Sequence, residues 1–160
     1  FEEGLTHQQY EHVERLVGQI NGRFSDANWV PVRYLYRSYP QNELAGFYHD
    51  ADVGMVTPLR DGMNLVAKEF IAAQGQENPG VLVLSQFSGA ASSMLDAVIV
   101  NPYDIDGTAE ATYRALRMPL AERQASNKTL MEGVFQNDAS AWSASFLNDL
   151  KLYSTRAYVS

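Results

Sequence analysis

The chain has 160 residues, 46% hydrophobic and 19% charged, a balance that excludes disordered and fibrous proteins and fits one globular domain. Twelve Lys and Arg residues against nineteen Asp and Glu residues give a net charge of -7, which disfavours nucleic-acid binding. No apolar run approaches the roughly 18 residues of a membrane span, and the absence of cysteine excludes disulfides and thiolate metal sites and fits a reducing cytoplasm.

Hydrophobic spacing predicts helices and strands that alternate along most of the chain. Helices are predicted over 7–23, from about 40–42 to 48, and over 63–74, 108–117, 119–135 and 138–153. Strands are predicted over 29–36, 52–57, 81–85 and 97–100. The strands are apolar throughout rather than alternating, as parallel strands are when helices cover both faces. The pattern therefore predicts an α/β fold with a doubly wound parallel sheet.

The start of the chain is unusual. Residue 1 is Phe rather than Met, and Thr6 and Gln9 have the spacing of a helix capping box almost at once. The pattern fits a chain that begins inside a longer protein, and it fits a trimmed terminus equally well.

Residues 57–64 form the most informative segment, because ligands of doubly wound sheets bind at the carboxyl ends of the strands. The segment follows a strand and opens a helix, whose free amides attract anions. Gly62 lets a ligand approach the backbone, Asp61 can accept bonds from sugar hydroxyls, and Glu69, on the same helical stripe, can reach a ribose diol. From spacing alone, an ordinary Asp-Gly turn with a solvated Glu69 explains the same residues.

Other segments give weaker signals. The small-residue loop 85–91 and the turn 101–104 also follow strands, without a fixed glycine spacing. The three histidines form no metal-ligand pair, and neither a serine-nucleophile elbow nor a nucleotide-binding P-loop is present. We therefore expect no metal and no cofactor.

The run 53–69, VGMVTPLRDGMNLVAKE, resembles the donor-binding motif of the trehalose-6-phosphate synthases, family 20 of the retaining glycosyltransferases. Segments that agree in order cover 20–24, 29–31, 79–91, 98–104 and 120–123. The resemblance runs over nearly the whole chain and is weakest in the last ten residues.

The resemblance implies a GT-B fold, in which two Rossmann-like domains face each other across a cleft. Residues 1–160 correspond to the carboxyl-terminal part of the second domain, which binds the nucleotide sugar. The implied reaction transfers glucose from UDP-glucose to glucose 6-phosphate and gives trehalose 6-phosphate and UDP, with retention at the anomeric carbon and without a metal.

The resemblance also assigns roles to residues that contact the donor sugar. Asp61 would bind hydroxyls of the donor glucose, as the catalytic-site residue of this chain. The backbone of Gly62, Met63 and Asn64 would line that sugar.

A second group of residues would hold the nucleotide. The amides of Leu65 and Val66 would bind the phosphates, and Glu69 would hold the ribose hydroxyls. Tyr39 falls where the family has an aromatic residue beside the uracil, with 35–37 close by.

Some functional residues of the family's proteins would precede Phe1 in the chain. They include an Arg/Lys pair that grips the donor phosphates, an Arg for the acceptor phosphate, and the acceptor-side residues of the first domain. Loss of one such electrostatic contact raises a barrier by about 3–4 kcal/mol, so we expect the chain alone to be inactive without the rest of a parent enzyme. In the family strand order, the strands at 31–36 and 52–57 would be the third and fourth. The third would lack a neighbour, and exposed edges favour association between copies.

Three alternatives stay open from the sequence. Another family 20 transferase, such as a glucosylglycerol-phosphate synthase, uses a different acceptor. A relative that couples a pseudo-glycosyl donor to an amine is a further enzyme class. The third alternative is a non-catalytic module that binds nucleotide sugars.

Overall fold

A computed structural model describes residues 7–136 of the chain. Its elements, in chain order, are α1 (His7–Phe24), α2 (Gln41–Asp50), β1 (Val53–Val56), α3 (Leu65–Ala73), β2 (Val81–Ser85), a 3-10 turn (Gly89–Ser92), β3 (Val98–Val100), α4 (Ile105–Leu116) and α5 (Leu120–Gln136). The capping box predicted at Thr6 and the helix predicted over 138–153 lie outside the described residues. None of the helices within 7–136 combines the length and the apolar character that crossing a bilayer requires.

The chain divides after Tyr39 into two compact units. In the first, α1 is followed by an irregular segment, so the strand predicted over 29–36 is wrong. The Asn21 side chain bonds both backbone groups of Val32, donating to its carbonyl at 2.9 Å and accepting from its amide at 3.0 Å. The backbone groups of Val32 are therefore paired without a neighbouring strand.

The second unit contains a parallel sheet of three strands in the order β1-β2-β3. Val53 pairs with Val81 at the start of the first ladder, and Val83 pairs with Val98 at the start of the second. Every residue of the central strand β2 is buried, which explains its uninterrupted apolar sequence.

Successive residues of β2 point to opposite faces of the sheet, and each face has its own core. Leu82 and Leu84 pack in a cluster with residues of α3 and α5, including Phe70 and Leu130. Val81 and Val83 pack with Val100 and with Ala111 and Ala115 of α4. Helices therefore cover both faces, which confirms the doubly wound α/β fold predicted from the sequence.

Candidate functional site

Two loops meet at the carboxyl edge of the sheet. The Asp61 loop (residues 57–64) connects β1 to α3, and the Ser88 loop (residues 86–89) follows β2. Because β1 and β2 are parallel neighbours, both loops leave the same edge. This edge is where open α/β sheets bind ligands.

Backbone hydrogen bonds join the two loops. The Asp61 amide donates to the Phe87 carbonyl at 3.3 Å, and the Gly89 amide donates to the Asp61 carbonyl at 3.2 Å. A Cβ atom on Gly89 would overlap the Gly62 carbonyl oxygen and stand 3.0 Å from its carbon. Glycine at position 89 therefore permits a contact between the loops that any other residue would prevent.

The Asp61 carboxylate organises its own loop while it stays exposed. One oxygen accepts from the Gly62 amide at 2.7 Å, and the other accepts from the Asn64 side-chain amide. A carboxylate offers about four acceptor positions, so each oxygen keeps the capacity for a second hydrogen bond. Asp61 can thus accept ligand hydroxyls without releasing the loop.

Asn64 caps α3 and leaves amides free at its start. Among residues 7–136, Asn64 is the one non-glycine residue with a positive φ, 53°, and its side-chain oxygen accepts from the Ala67 amide at 2.9 Å. An α-helix gives its first amides no internal acceptor. Asn64 takes the third of these, so the amides of Leu65 and Val66 are left for an outside acceptor, at the helix end with partial positive charge.

The helix α3 begins two residues later than the predicted position 63, because Asn64 adopts the left-handed conformation. Gly62 and Met63 therefore belong to the loop and are exposed beside Asp61. The residues predicted to contact the donor sugar and the phosphates, Asp61 to Val66, therefore lie in the Asp61 loop and at the start of α3.

Glu69 lies one helical turn beyond Leu65, and its side chain is exposed. Tyr48 of α2 packs edge-on against the neighbouring Phe70, with ring centroids 6.3 Å apart. Burial, and then the Glu69 carboxylate, raise the pKa of Tyr48 above its ordinary value of 10.0. The Glu69 carboxylate is therefore close enough to Tyr48 of α2 to affect its ionisation.

Tyr39 is the last residue of the first compact unit. The Arg37 guanidinium lies over its ring, 4.6 Å from the centroid. The residues that form the Asp61 site all belong to the second unit, so a role for Tyr39, and for 35–37, stays a prediction.

Sequence reasoning missed the part played by Phe87 and Gly89. The sequence shows a glycine, Gly89, shortly after a buried strand, but the neighbouring residues do not indicate which loop this glycine contacts. No three His, Cys, Asp or Glu side chains come together as a metal site between residues 7 and 136.

Sequence and structure comparisons identify the family. The profile described as Glycosyltransferase family 20 matches residues 3–152. The trehalose-6-phosphate synthase of Sinorhizobium fredii is 51% identical over 152 residues, which are 92% of this chain and 33% of that protein.

Two solved structures show the same fold at similar identity. The alpha,alpha-trehalose-phosphate synthase (UDP-forming) of Burkholderia xenovorans, in complex with glucose-6-phosphate, superposes with a TM-score of 0.86 at 52% identity, over 90% of this chain and 32% of that one. The E. coli protein bound with UDP-2-fluoro glucose gives 0.87 at 47% identity, over 93% of this chain and 33% of that one.

The chain spans about a third of the length of the relatives it matches. The match is continuous and covers the Asp61 and Ser88 loops as well as the sheet between them. This chain belongs to glycosyltransferase family 20.

Proposed function

We propose that this chain is the nucleotide-sugar-binding part of a GT-B enzyme that transfers glucose from UDP-glucose to glucose 6-phosphate, giving trehalose 6-phosphate and UDP. One observation carries the proposal: a fixed, exposed carboxylate, Asp61, stands directly before two free helix amides, those of Leu65 and Val66. The arrangement fits a sugar joined to a diphosphate.

The diphosphate binds at the start of α3. The amides of Leu65 and Val66 donate to its oxygens, and the partial positive charge of the helix end stabilises its negative charge. As the bond to glucose breaks, negative charge grows on the leaving UDP, so these donors stabilise the transition state more than the substrate. The proposal needs no metal.

Two carboxylates hold the groups on either side of the diphosphate. Asp61 accepts hydroxyls of the donor glucose, and the backbone of Gly62, Met63 and Asn64 lines the same sugar. Glu69 lies four residues beyond Leu65, about 6 Å along the helix axis, and accepts both ribose hydroxyls. A role for Tyr39 beside the uracil stays a prediction.

The acceptor side lies outside this part of the enzyme. Relatives are about three times as long as this chain, and we propose that the remaining two thirds contribute the acceptor site and the basic side chains that grip the donor phosphates. The 160-residue chain is then the carboxyl-terminal part of the donor domain and is inactive alone. We propose a cytoplasmic location, in keeping with the absence of cysteine.

Calorimetry on the 160-residue chain tests the donor site. We expect weak UDP binding that Glu69→Ala abolishes, because the ribose diol loses its acceptor. Asp61→Ala should weaken UDP-glucose binding and leave UDP binding intact. Glu110→Ala removes an exposed carboxylate on α4 and serves as the matched control. Equal UDP affinity in the Glu69 and Glu110 variants contradicts the assignment.

A chimaera tests the reaction. The corresponding third of the Sinorhizobium fredii protein is replaced by this chain, and product formation is followed with UDP-glucose as donor and glucose 6-phosphate as acceptor. Because the Sinorhizobium part supplies the acceptor site, the chimaera tests the donor half of the reaction alone. Formation of trehalose 6-phosphate supports the proposal, and donor binding without transfer favours a non-catalytic module.

A further inference from the structure

We propose that Phe87 and Tyr103 are positioning residues that hold the Asp61 loop in its sugar-binding conformation. The proposal rests on the donor site described above and extends it to two aromatic side chains outside that site. Phe87 belongs to the Ser88 loop after β2, and Tyr103 belongs to the turn after β3. Both lie at the carboxyl edge of the sheet.

The backbone of Phe87 supports Asp61 directly. Its carbonyl accepts the Asp61 amide at 3.3 Å, and two residues later Gly89 returns a bond to the Asp61 carbonyl at 3.2 Å. Both bonds are at the long end of the normal range, so small movements of the Ser88 loop weaken them. The conformation of the Asp61 loop therefore depends on where Phe87 is held.

The side chain of Phe87 is not fixed by the core. It is 40% exposed, and its ring meets the Tyr103 ring edge to face, with centroids 5.8 Å apart and planes at 68°. Such a pair has a preferred geometry, because the positive edge of one ring faces the negative face of the other. Tyr103 thus supports the outer side of Phe87.

Tyr103 is itself held by the end of β3. Its amide donates to the Asn101 side chain at 3.1 Å, and the Asp104 amide donates to the Asn101 carbonyl at 2.9 Å. The Gln86 amide also donates to the Val100 carbonyl at 2.9 Å. A continuous set of contacts therefore runs from β3 through Tyr103 and Phe87 to Asp61.

Tyr103 is exposed and does not belong to either hydrophobic cluster. Its side chain is 66% exposed, so truncation leaves both hydrophobic clusters intact. Loss of one edge-to-face pair corresponds to about a three- to tenfold change in an opening equilibrium. The effect should be confined to the Asp61 and Ser88 loops.

Amide hydrogen exchange on the 160-residue chain tests the positioning role. In Tyr103→Ala the amides of Asp61 and Gly89 should exchange about three- to tenfold faster, whereas those of β2 keep their rates. Tyr103→Phe keeps the ring and should restore the wild-type rates. Tyr113→Ala removes another exposed tyrosine, 55% exposed, from α4 and should not alter them. Unchanged exchange of Asp61 and Gly89 in Tyr103→Ala overturns the proposal.

Calorimetry separates this proposal from the donor-site proposal. A loop that opens rarely leaves nearly every molecule competent to bind, so the affinity of Tyr103→Ala is not the readout of the positioning contacts. Unchanged UDP-glucose affinity in Asp61→Ala contradicts the sugar-binding role of Asp61 and leaves the exchange result for Tyr103→Ala standing. Unchanged exchange in Tyr103→Ala contradicts the positioning contacts, whatever Asp61→Ala shows.

Discussion

The two loops that flank α3 are held in opposite ways. The Pro79 loop (residues 75–80) follows the helix and is tied down by long side chains of α5. Arg123 donates to the Pro79 carbonyl at 2.8 Å, and Gln124 donates to the Glu77 carbonyl at 3.0 Å. The Asp61 loop precedes the helix and is held by its own short side chains, with two backbone bonds from the Ser88 loop.

The difference fits a structural role for the Pro79 loop and the binding role proposed for the Asp61 loop. Arg123 and Gln124 of α5 reach over the Pro79 loop, in which Pro79 and Gly80 are buried. The Asp61 loop is stabilised by backbone bonds to the Ser88 loop and by its own Asp and Asn side chains, and Asp61, Gly62 and Met63 stay exposed. A loop that folds around its own Asp and Asn can present a rigid surface without being covered.

The largest effect should come from Gln74, the residue just before the Pro79 loop. Gln74 is 5% exposed, its side-chain amide donates to the Tyr48 carbonyl, and its oxygen accepts from the Gly80 amide at 2.6 Å. Gln74→Ala leaves both backbone groups unsatisfied and should lower the free energy of unfolding by about 3 kcal/mol. Urea denaturation measures this loss.

The control for that variant removes a side chain of α5 that contacts the Pro79 loop. Gln124→Ala removes an exposed side chain whose acceptors turn to water, and should cost less than about 1 kcal/mol. Both variants, while folded, should bind UDP-glucose as the wild type does. Weaker binding in folded Gln74→Ala would show that the two loops are coupled and would break the distinction between them.

A smaller effect on stability should come from Asn64, with a larger one on binding. Asn64→Ala loses the helix cap and places alanine at a φ of 53°, so unfolding should be easier by about 2 kcal/mol. Asn64→Gly tolerates that φ and should cost only a few tenths of a kcal/mol. Denaturation distinguishes the two.

Binding should not distinguish the two Asn64 variants. Both lose the side-chain amide that fixes the Asp61 carboxylate, so calorimetry should show the same loss of UDP-glucose affinity in each. If affinity instead follows stability, with glycine near wild type, the Asn64 side chain is a helix cap alone and Asp61 needs no support from it.

Local sequence patterns predicted the elements whose causes are local. The unbroken apolar run Val81–Ser85 forms the fully buried central strand, and residues 57–64 form the loop before a helix. The strand predicted over 29–36 is wrong: the described sheet contains only β1, β2 and β3, and at Val32 the side chain of Asn21 takes both backbone groups that a ladder would use. Residue composition alone does not reveal such a competing partner.

The site shows the same division. The order carboxylate, glycine and helix start is local, and it predicted Asp61, Gly62 and the first amides of α3. The bonds from Phe87 and Gly89 to Asp61 join residues about 26 positions apart in the chain, and the spacing within either loop does not indicate them. The left-handed backbone of Asn64, after which the helix begins two residues later than predicted, accompanies side-chain bonds to Asp61 and Ala67 that the sequence does not reveal.

The smallest predicted effect concerns Tyr48, which contacts the helix between the two loops. Its carbonyl accepts from Gln74, the residue that ends α3, and its ring packs on Phe70 beside Glu69. Burial, and to a smaller extent Glu69, raise its pKa above 10.0. The folded state therefore holds the phenol proton more tightly than the unfolded state does.

The sign of the pH dependence follows from that difference. Below about pH 10 the phenol is protonated in both states and stability is complete. As the pH rises through the folded-state pKa, the wild type loses stability that Tyr48→Phe, with no proton to lose, retains. Urea midpoints measured on both proteins at neutral and alkaline pH check this. Because burial is the larger cause, Glu69→Gln should remove only the lesser part of the loss. A complete removal by Glu69→Gln would mean that the carboxylate charge acts on the pKa of Tyr48 more strongly than burial does.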